Sequence, residues 1–294
     1  MKAYTSMEST LRESAPLALQ WSQQHCRVDT EHMRDCAWYH GFWQIARVMG
    51  IGKASGGHAD FLLDALREHA RSGRFRRVLV SGTVDYSMPA LVYQAYAIEN
   101  ASVELTIVDW CETPLLLSRW YADRVKQQVR TVRSNILDLR EPGGFDLVLT
   151  NSFLGYFTVE QRQRLFGVWA ELLRPGGKAV LSNRVRPEFA SGQVGFLPDE
   201  ARRFCAEVDV RADATGLELG IDAARIRAGA REYVRNFSVY PVTSHDALHR
   251  AMTDAGFGHI AADVASSGAS SVAVSGPSTT EQGMYARIVA TRRD

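Results

Sequence analysis

The sequence RRVLVSGTVDYSMPALV, residues 76–92, joins a short apolar run to a helical pattern through a turn that contains one glycine, Gly82. RVLVSG has the composition of a buried strand, and MPALVYQAYAIEN, which begins within the quoted stretch, that of a helix packed on a sheet. A strand, a glycine turn and a helix in this order predict a βα unit. In parallel sheets built from such units, ligands bind at the carboxyl ends of the strands.

Downstream of this unit, short apolar runs continue to alternate with amphipathic stretches, which is typical of an α/β fold with a parallel sheet. We predict strands at ELTIVDW, VRTVRSNI, FDLVLTN and KAVLSNRV, the last entered through the turn RPGG. Residues 198–235 are charged and helical in pattern and predict an insertion. A helix at TSHDALHRAMTDAGF and strands at HIAADVAS and MYARIVATRR follow, and the Ser/Gly-rich residues 266–283 are predicted to form a flexible hairpin connection.

The first seventy residues have helical periodicity and almost no strand signal. Trp38, Phe42, Ile45 and Met49 recur at steps of three or four, which predicts an apolar helix face. The glycines of IGKASGG end this pattern, and HADFLLDALREHARSG predicts a further helix. We therefore expect a helical cap or lid, residues 1–74, ahead of a main domain, residues 75–294.

The composition excludes several classes of partner. With 34 basic and 33 acidic side chains among 294 residues, the formal charge is +1, so no overall positive field favours nucleic acid or an anionic membrane. No apolar run approaches the roughly 18 residues of a membrane span. The first twenty residues include charged side chains where a signal peptide has its apolar core. We expect a cytoplasmic protein.

The four cysteines, Cys26, Cys36, Cys111 and Cys205, form no CxxC pair and indicate neither a disulfide framework nor a zinc knuckle. His32, Cys36 and His40 would share one face of a cap helix. Three such ligands on one straight helix span about 12 Å and cannot converge on one ion. The sequence therefore predicts no metal site.

The order of these elements, with LRPGG before the fifth strand and DAGF before the final strand pair, resembles the class I S-adenosylmethionine-dependent methyltransferase fold over residues 75–294. The resemblance implies a Rossmann-like, seven-stranded, mostly parallel sheet with an N-terminal helical cap and a helical insertion after the fifth strand. It also implies S-adenosylmethionine as the cofactor and a small-molecule substrate.

The cofactor turn departs from the pattern of that family. Gly82 occupies the first glycine position, Val84 and Tyr86 replace the second and third, and Val80 replaces the usual acidic residue. Bulk and lost backbone freedom imply that the amino-acid end of the cofactor is held differently. We expect Asp85 and the hydroxyls of Ser81 and Thr83 to take over the contacts to the ammonium and carboxylate of the cofactor. The cofactor-binding residues expected in this turn are Ser81, Gly82, Thr83, Asp85 and Tyr86.

Two further acids resemble cofactor contacts of the family. Asp109 ends the second strand, where an acid accepts the ribose hydroxyls; the alternative is a helix cap near Pro114, for which Thr113 is better placed. Trp110 would lie against adenine. Asp138 follows the third strand, where the resemblance implies a contact to the adenine amino group, and the alternative is an ordinary surface aspartate.

The end of the fourth strand, NSFLGYF, faces the transferred group in this fold. Asn151 and Ser152 are candidate cofactor contacts there, and Asn151 and Tyr156 candidates for orienting a substrate. The prolines of the Asn/Asp-Pro-Pro-Tyr motif of amino-methyltransferases are missing. Tyr156 would act as a base only if its pKa, ordinarily about 10, were lowered. His40 in the cap is the alternative general base, and Arg34 a candidate for a substrate carboxylate.

Three functions stay open at this point. Methyl transfer to a small molecule is the first, and attack at the γ-carbon is the second, giving aminocarboxypropyl transfer or azetidine-2-carboxylate and releasing methylthioadenosine. The missing acid and the bulk of Tyr86 motivate this second route. The third is an inactive cofactor-binding module, for which the lost glycines argue. An apolar cap helix would also allow a homodimer interface.

Overall fold

The computed structural model describes residues 2–26, 36–51, 56–189, 192–266 and 284–294. The N-terminal part is helical before the first strand, as predicted. Its helices are α1 (Lys2–His25), α2 (Ala37–Val48) and α3 (Gly56–Arg71).

The central α/β unit alternates strands and helices in the predicted order. Its elements are β1 (Arg77–Ser81), α4 (Ser87–Ile98), β2 (Glu104–Asp109), α5 (Glu112–Arg124), β3 (Val129–Arg133), β4 (Phe145–Asn151), α6 (Val159–Leu172) and β5 (Leu173–Val185). The remaining elements are β6 (Val194–Gly195), α7 (Pro198–Leu219), α8 (Ala223–Asn236), β7 (Ser238–Val239), α9 (His245–Asp254), β8 (Phe257–Ser266) and β9 (Met284–Arg292).

The described strands form one seven-stranded sheet in the order β3-β2-β1-β4-β5-β9-β8, and β6 pairs with β7 apart from it. β1 to β5 run parallel, whereas β9 is antiparallel to both β5 and β8. This arrangement confirms the Rossmann-like, mostly parallel sheet, with helices before it and α7 and α8 inserted after the fifth strand.

The central strands are apolar because both faces of the sheet are covered by helices. On β1, Leu79 packs with Trp169 of α6, whereas the neighbouring Val78 and Val80 pack in a second core with Leu91 of α4. Alternate residues of one strand thus enter two different cores, which explains continuous apolar runs rather than an alternation of apolar and polar residues.

The RPGG segment lies inside β5 and does not precede the strand, contrary to the prediction. Phe145 of β4 pairs with Leu173, and the next paired residue, Leu147, faces Lys178, so extra residues of β5 bulge between the two pairs. Gly176 has a φ of +69°, a conformation in which glycine is not strained. Of the predicted hairpin connection, residues 267–283 lie outside the described residues.

The helical cap packs on the inserted helices through aromatic rings. Tyr39 of α2 stacks on Tyr233 of α8 at 6.0 Å, and Phe42 approaches the same ring at 5.5 Å. Tyr233 in turn stacks on Phe204 of α7. The inserted helices α7 and α8 therefore pack with α2 in one aromatic cluster. No helix within the described ranges has both the length and the apolar character needed to cross a bilayer.

Candidate active site

Helix α2 lies across the carboxyl edge of the sheet and contacts the loops that follow three strands. Arg47 donates to Asp85 after β1 at 2.7 Å, and the ring of Tyr39 lies 6.3 Å from that of Tyr156 after β4. His40 contacts Cys26, which itself lies 3.2 Å from Cys111 after β2. The ligand-binding edge expected for this kind of sheet is therefore the edge that the cap covers.

Gly82 is the one position of the turn after β1 where no other residue fits. Its φ is +73°, and a Cβ there would lie 2.3 Å from the ring of Phe153, well inside contact distance. The Gly82 N–H donates to the Val108 carbonyl at 2.9 Å, which holds the turn against β2. The glycine that the motif retains is thus the one that the backbone requires.

Three other side chains of this segment have partners within the protein. The buried Ser81 hydroxyl accepts from Trp169 Nε1 at 3.1 Å, and Thr83 Oγ1 donates to the Asp85 carbonyl at 2.5 Å. Tyr86 is buried and stacks on Tyr121 at 4.7 Å. The bulk predicted to remodel the cleft therefore packs in the core instead.

Asp85 holds the turn and α2 together. Its side chain is fully buried, and one carboxylate oxygen accepts from Arg47 at 2.7 Å. The other oxygen accepts from the Ser87 backbone N–H at 2.8 Å and from the Ser87 hydroxyl. Both oxygens of Asp85 thus have protein partners, and its contact to the cofactor stays a prediction.

Asp109, at the end of β2, joins the loops after two neighbouring strands. Its carboxylate accepts from the Thr83 N–H at 3.0 Å and from the Cys111 N–H at 2.8 Å. Burial raises the pKa of Asp109 to about 6, although these hydrogen bonds and the nearby His40 act in the opposite direction. Each oxygen keeps lone-pair capacity for a further donor. The adjacent Trp110 is 43% exposed.

The helix after Asp109 begins earlier than expected. α5 starts at Glu112 with Cys111 as its N-cap, and no side chain caps it. Thr113 is therefore inside the helix and not its cap. Its hydroxyl lies 2.9 Å from Cys26 Sγ instead.

Asp138 is on the surface, at the end of a 3₁₀ turn that the Asn135 side chain begins. Its side chain is 63% exposed and pairs with Arg164 at 3.0 Å. Ile136 and Leu137, which precede it in this turn, are buried in the core. An adenine contact by Asp138 stays a prediction.

The segment after β4 presents three polar residues at the same edge. Ser152 has a φ of +53°, a left-handed conformation that is costly for a side chain with a Cβ and that clusters at functional sites. The Asn151 side chain is half-buried, and its Oδ1 lies 3.4 Å from Ser152 Oγ. Tyr156 is 44% exposed and faces Tyr39.

Tyr39 and Tyr156 shift each other's pKa. Burial raises the pKa of Tyr39 well above its ordinary value, and the hydrogen bond to Tyr156 adds to this effect. The same contact acts in the opposite direction on Tyr156 and favours its ionised form. The surrounding protein nevertheless raises the pKa of Tyr156 to about 12. The lowered pKa that a tyrosine base would require is therefore not found.

His40 is buried and faces three cysteines. Its Nδ1 lies 3.2 Å from Cys26 Sγ, and the ligand atoms of Cys26, Cys36, His40 and Cys111 all lie within 4.8 Å of one another. Sequence reasoning paired Cys36 and His40 with His32 on a single helix and missed Cys26 and Cys111. His32 and Arg34 lie outside the described residues. The spacing C-x₉-C-x₃-H was the available signal, and the sequence separation of Cys111 concealed the fourth member.

No protein-family model and no curated protein matches the chain. Among solved structures, phosphoethanolamine N-methyltransferase 2 of Haemonchus contortus, in complex with phosphomonomethylethanolamine and S-adenosylhomocysteine, is 13% identical with a TM-score of 0.55. The match covers 86% of this chain and 57% of that one. A Burkholderia thailandensis 1,6-didemethyltoxoflavin N1-methyltransferase is 16% identical with a TM-score of 0.49, covering 79% of each chain. The chain has the Rossmann-like fold of the class I S-adenosylmethionine-dependent methyltransferases.

Proposed function

We propose that this protein binds S-adenosylmethionine and transfers its methyl group to a small molecule between the sheet edge and helix α2. The observation that carries the proposal is the position of Asp109. Its carboxylate lies at the end of β2 and accepts a hydrogen bond from the turn that follows β1. The structural neighbour with the same fold was solved both with S-adenosylmethionine and with S-adenosylhomocysteine.

The residues present fit the sugar end of this cofactor. Asp109 lies in a low-dielectric position, and its remaining lone pairs suit two hydroxyl donors, as in dinucleotide folds. The exposed Trp110 would cover the base, with Asp138 as a second candidate contact. For the amino-acid end, Asn151, Ser152 and the exposed part of Thr83 stay as candidates, since Asp85 and Ser81 have other partners.

When bound, the sulfonium supplies an electrophilic methyl group. The protein then has to orient an acceptor and exclude water, because methyl transfer needs an in-line approach and no covalent intermediate. Burial raises the pKa of Tyr156 to about 12, so its hydroxyl keeps its proton at neutral pH. That proton points to a role in holding an acceptor molecule rather than in deprotonating one. His40, buried among sulfurs, is not assigned as the base.

One of the two observations that favoured a reaction at the γ-carbon does not hold in the structure. This alternative rested in part on the bulk of Tyr86 near the amino-acid end of the cofactor, and that ring packs against Tyr121. The other observation remains, because the buried Val80 occupies the position at which the family usually has an acidic residue. Methyl transfer is therefore the function that we propose.

Product analysis tests the proposal directly. The purified protein is incubated with S-adenosylmethionine alone and then with panels of small aromatic and apolar acceptors, and the nucleoside product is identified by mass. S-Adenosylhomocysteine that forms only with an acceptor supports methyl transfer. Methylthioadenosine formed without an acceptor overturns it in favour of γ-carbon chemistry. Binding without any product under all conditions assigns an inactive module.

Asp109→Ala tests the ribose contact separately. We expect S-adenosylmethionine affinity to fall by about 1.5–3 kcal/mol, or roughly 10- to 150-fold, the usual worth of hydrogen bonds to a charged group. Asp123→Ala, at an exposed position of α5, is the matched control and should leave affinity unchanged. Equal affinities for the two variants, measured by calorimetry on folded protein, would remove Asp109 from the site.

A further inference from the structure

We propose that Cys26, Cys36, His40 and Cys111 bind a zinc ion that ties the helical cap to the sheet edge. Their ligand atoms all lie within 4.8 Å of one another. Cys111 Sγ is 3.2 Å from Cys26 Sγ and 3.7 Å from Cys36 Sγ, and His40 Nδ1 is 3.2 Å from Cys26 Sγ. A tetrahedral ion with zinc–sulfur bonds of about 2.3 Å holds its ligands roughly 3.5–3.8 Å apart, so the cluster is close to the size required.

The alternatives to a metal explain less of the cluster. A disulfide needs its two sulfurs about 2.05 Å apart, and it would leave a third cysteine and a histidine without a role. Unliganded thiols behave as small apolar groups and do not require an imidazole nitrogen among them. Here a histidine and two cysteines are buried together, with a third cysteine at the margin. Convergence of three sulfurs and one nitrogen is the donor set of a metal centre.

The donor set also indicates which metal. Thiolate and imidazole ligands in a tetrahedral arrangement select zinc over magnesium or calcium, which take oxygen ligands. Four protein ligands leave no open position, which is the property of structural rather than catalytic zinc sites. The Thr113 hydroxyl, 2.9 Å from Cys26 Sγ, is placed to donate to a thiolate from outside the ligand set.

The ligands come from three separate parts of the fold. Cys26 directly follows α1, Cys36 and His40 lie on one face at the start of α2, and Cys111 is the N-cap of α5. Cys26 and Cys111 are 85 residues apart in sequence. The N–H of Cys111 donates to Asp109, so the ion would fix the helical cap two residues from the proposed ribose contact. We infer a structural clamp between cap and cofactor edge.

Metal analysis of the intact protein tests the site without any cofactor or substrate. We expect one zinc per chain after purification without added chelator. After zinc is exchanged for cobalt, we expect the visible ligand-field bands and near-ultraviolet charge-transfer bands of a tetrahedral cobalt–thiolate centre. Cys111→Ser should reduce zinc to background and abolish these bands. Cys205→Ser, at a cysteine of α7 outside the cluster, is the matched control and should keep both.

Two further measurements keep the test decisive if Cys111→Ser does not fold. Cys36→His replaces one ligand by another, so it should retain a metal with shifted cobalt bands. In wild-type protein, a folded, fully reduced chain that takes up neither zinc nor cobalt would overturn the proposal, as would a disulfide linking Cys26 to Cys111. Metal content does not depend on S-adenosylmethionine, so this inference can fail while the proposed function holds, and the reverse is also true.

Discussion

Replacing Arg47 by methionine should destabilise the protein far more than removal of a surface arginine. Asp85 is fully buried and the Arg47 side chain is 12% exposed, so loss of the guanidinium leaves a buried carboxylate whose remaining side-chain partner among the described residues is Ser87. Breaking a buried pair in this way typically costs about 3–5 kcal/mol. Methionine keeps much of the apolar stem of arginine, which limits the loss of packing. We therefore expect a decrease of roughly 3 kcal/mol or more in the free energy of unfolding.

Equilibrium unfolding in guanidinium chloride measures this loss, and a double-mutant cycle isolates the pair. The cycle uses Arg47→Met, Asp85→Asn and both together, with a coupling energy of about 1–3 kcal/mol expected for groups in direct contact. Arg71→Met, which removes the exposed partner of Glu99, is the control and should cost much less. A coupling energy near zero, or equal losses for Arg47→Met and Arg71→Met, would refute the reasoning.

Three more outcomes are expected. Gly82→Ala should destabilise the fold by about 2–4 kcal/mol, seen as a lower unfolding midpoint, because it combines a left-handed backbone with a clash against Phe153; an unchanged midpoint would contradict this. Although burial opposes it, hydrogen bonds from neighbouring arginines lower the pKa of Asp146 from 3.8 to about 2. The stability that ionised Asp146 contributes to the fold is fully present above the pKa of this group in the unfolded chain. It is lost as pH falls through the pKa of the group in the folded protein. Wild type should therefore lose about 1–2 kcal/mol more than Asp146→Asn between pH 5 and 2, and parallel curves would refute the assignment. Tyr156→Phe should reduce methyl-transfer kcat/KM roughly tenfold, the worth of one hydrogen bond, with S-adenosylmethionine affinity unchanged; a change in affinity alone would place Tyr156 on the cofactor.

The order of the elements could be predicted because strand and helix periodicity is a local property of the sequence. β1, β2 and β4 are found at the predicted segments, and the helical insertion is also confirmed. RPGG was interpreted as a turn because its residue types favour turns, whereas in the fold a bulge within β5 absorbs it. Turn composition alone does not distinguish these two outcomes.

The site was harder to predict because its contacts join distant segments. Sequence placed Asp85 and Tyr86 in a cofactor turn but could not show that one pairs with Arg47 and the other turns into the core. The cysteine cluster escaped notice for the same reason, since Cys111 approaches Cys26 only after the sheet and the cap have assembled. The position of Asp109 at the end of β2 could be predicted because it depends only on the extent of one strand, and its contact to ribose stays a prediction.

The attachment of helix α2 at both of its ends restricts how molecules can reach the sheet edge. With the proposed zinc ion bound, its first turn would be held at Cys36 and His40, and its last turn is held by Arg47. A segment fastened in this way cannot swing outward about one end without losing the contacts at the other. The exposed side chains of Trp110 and Tyr156 follow β2 and β4 at this edge, so we expect acceptors to approach past them and not by displacement of α2.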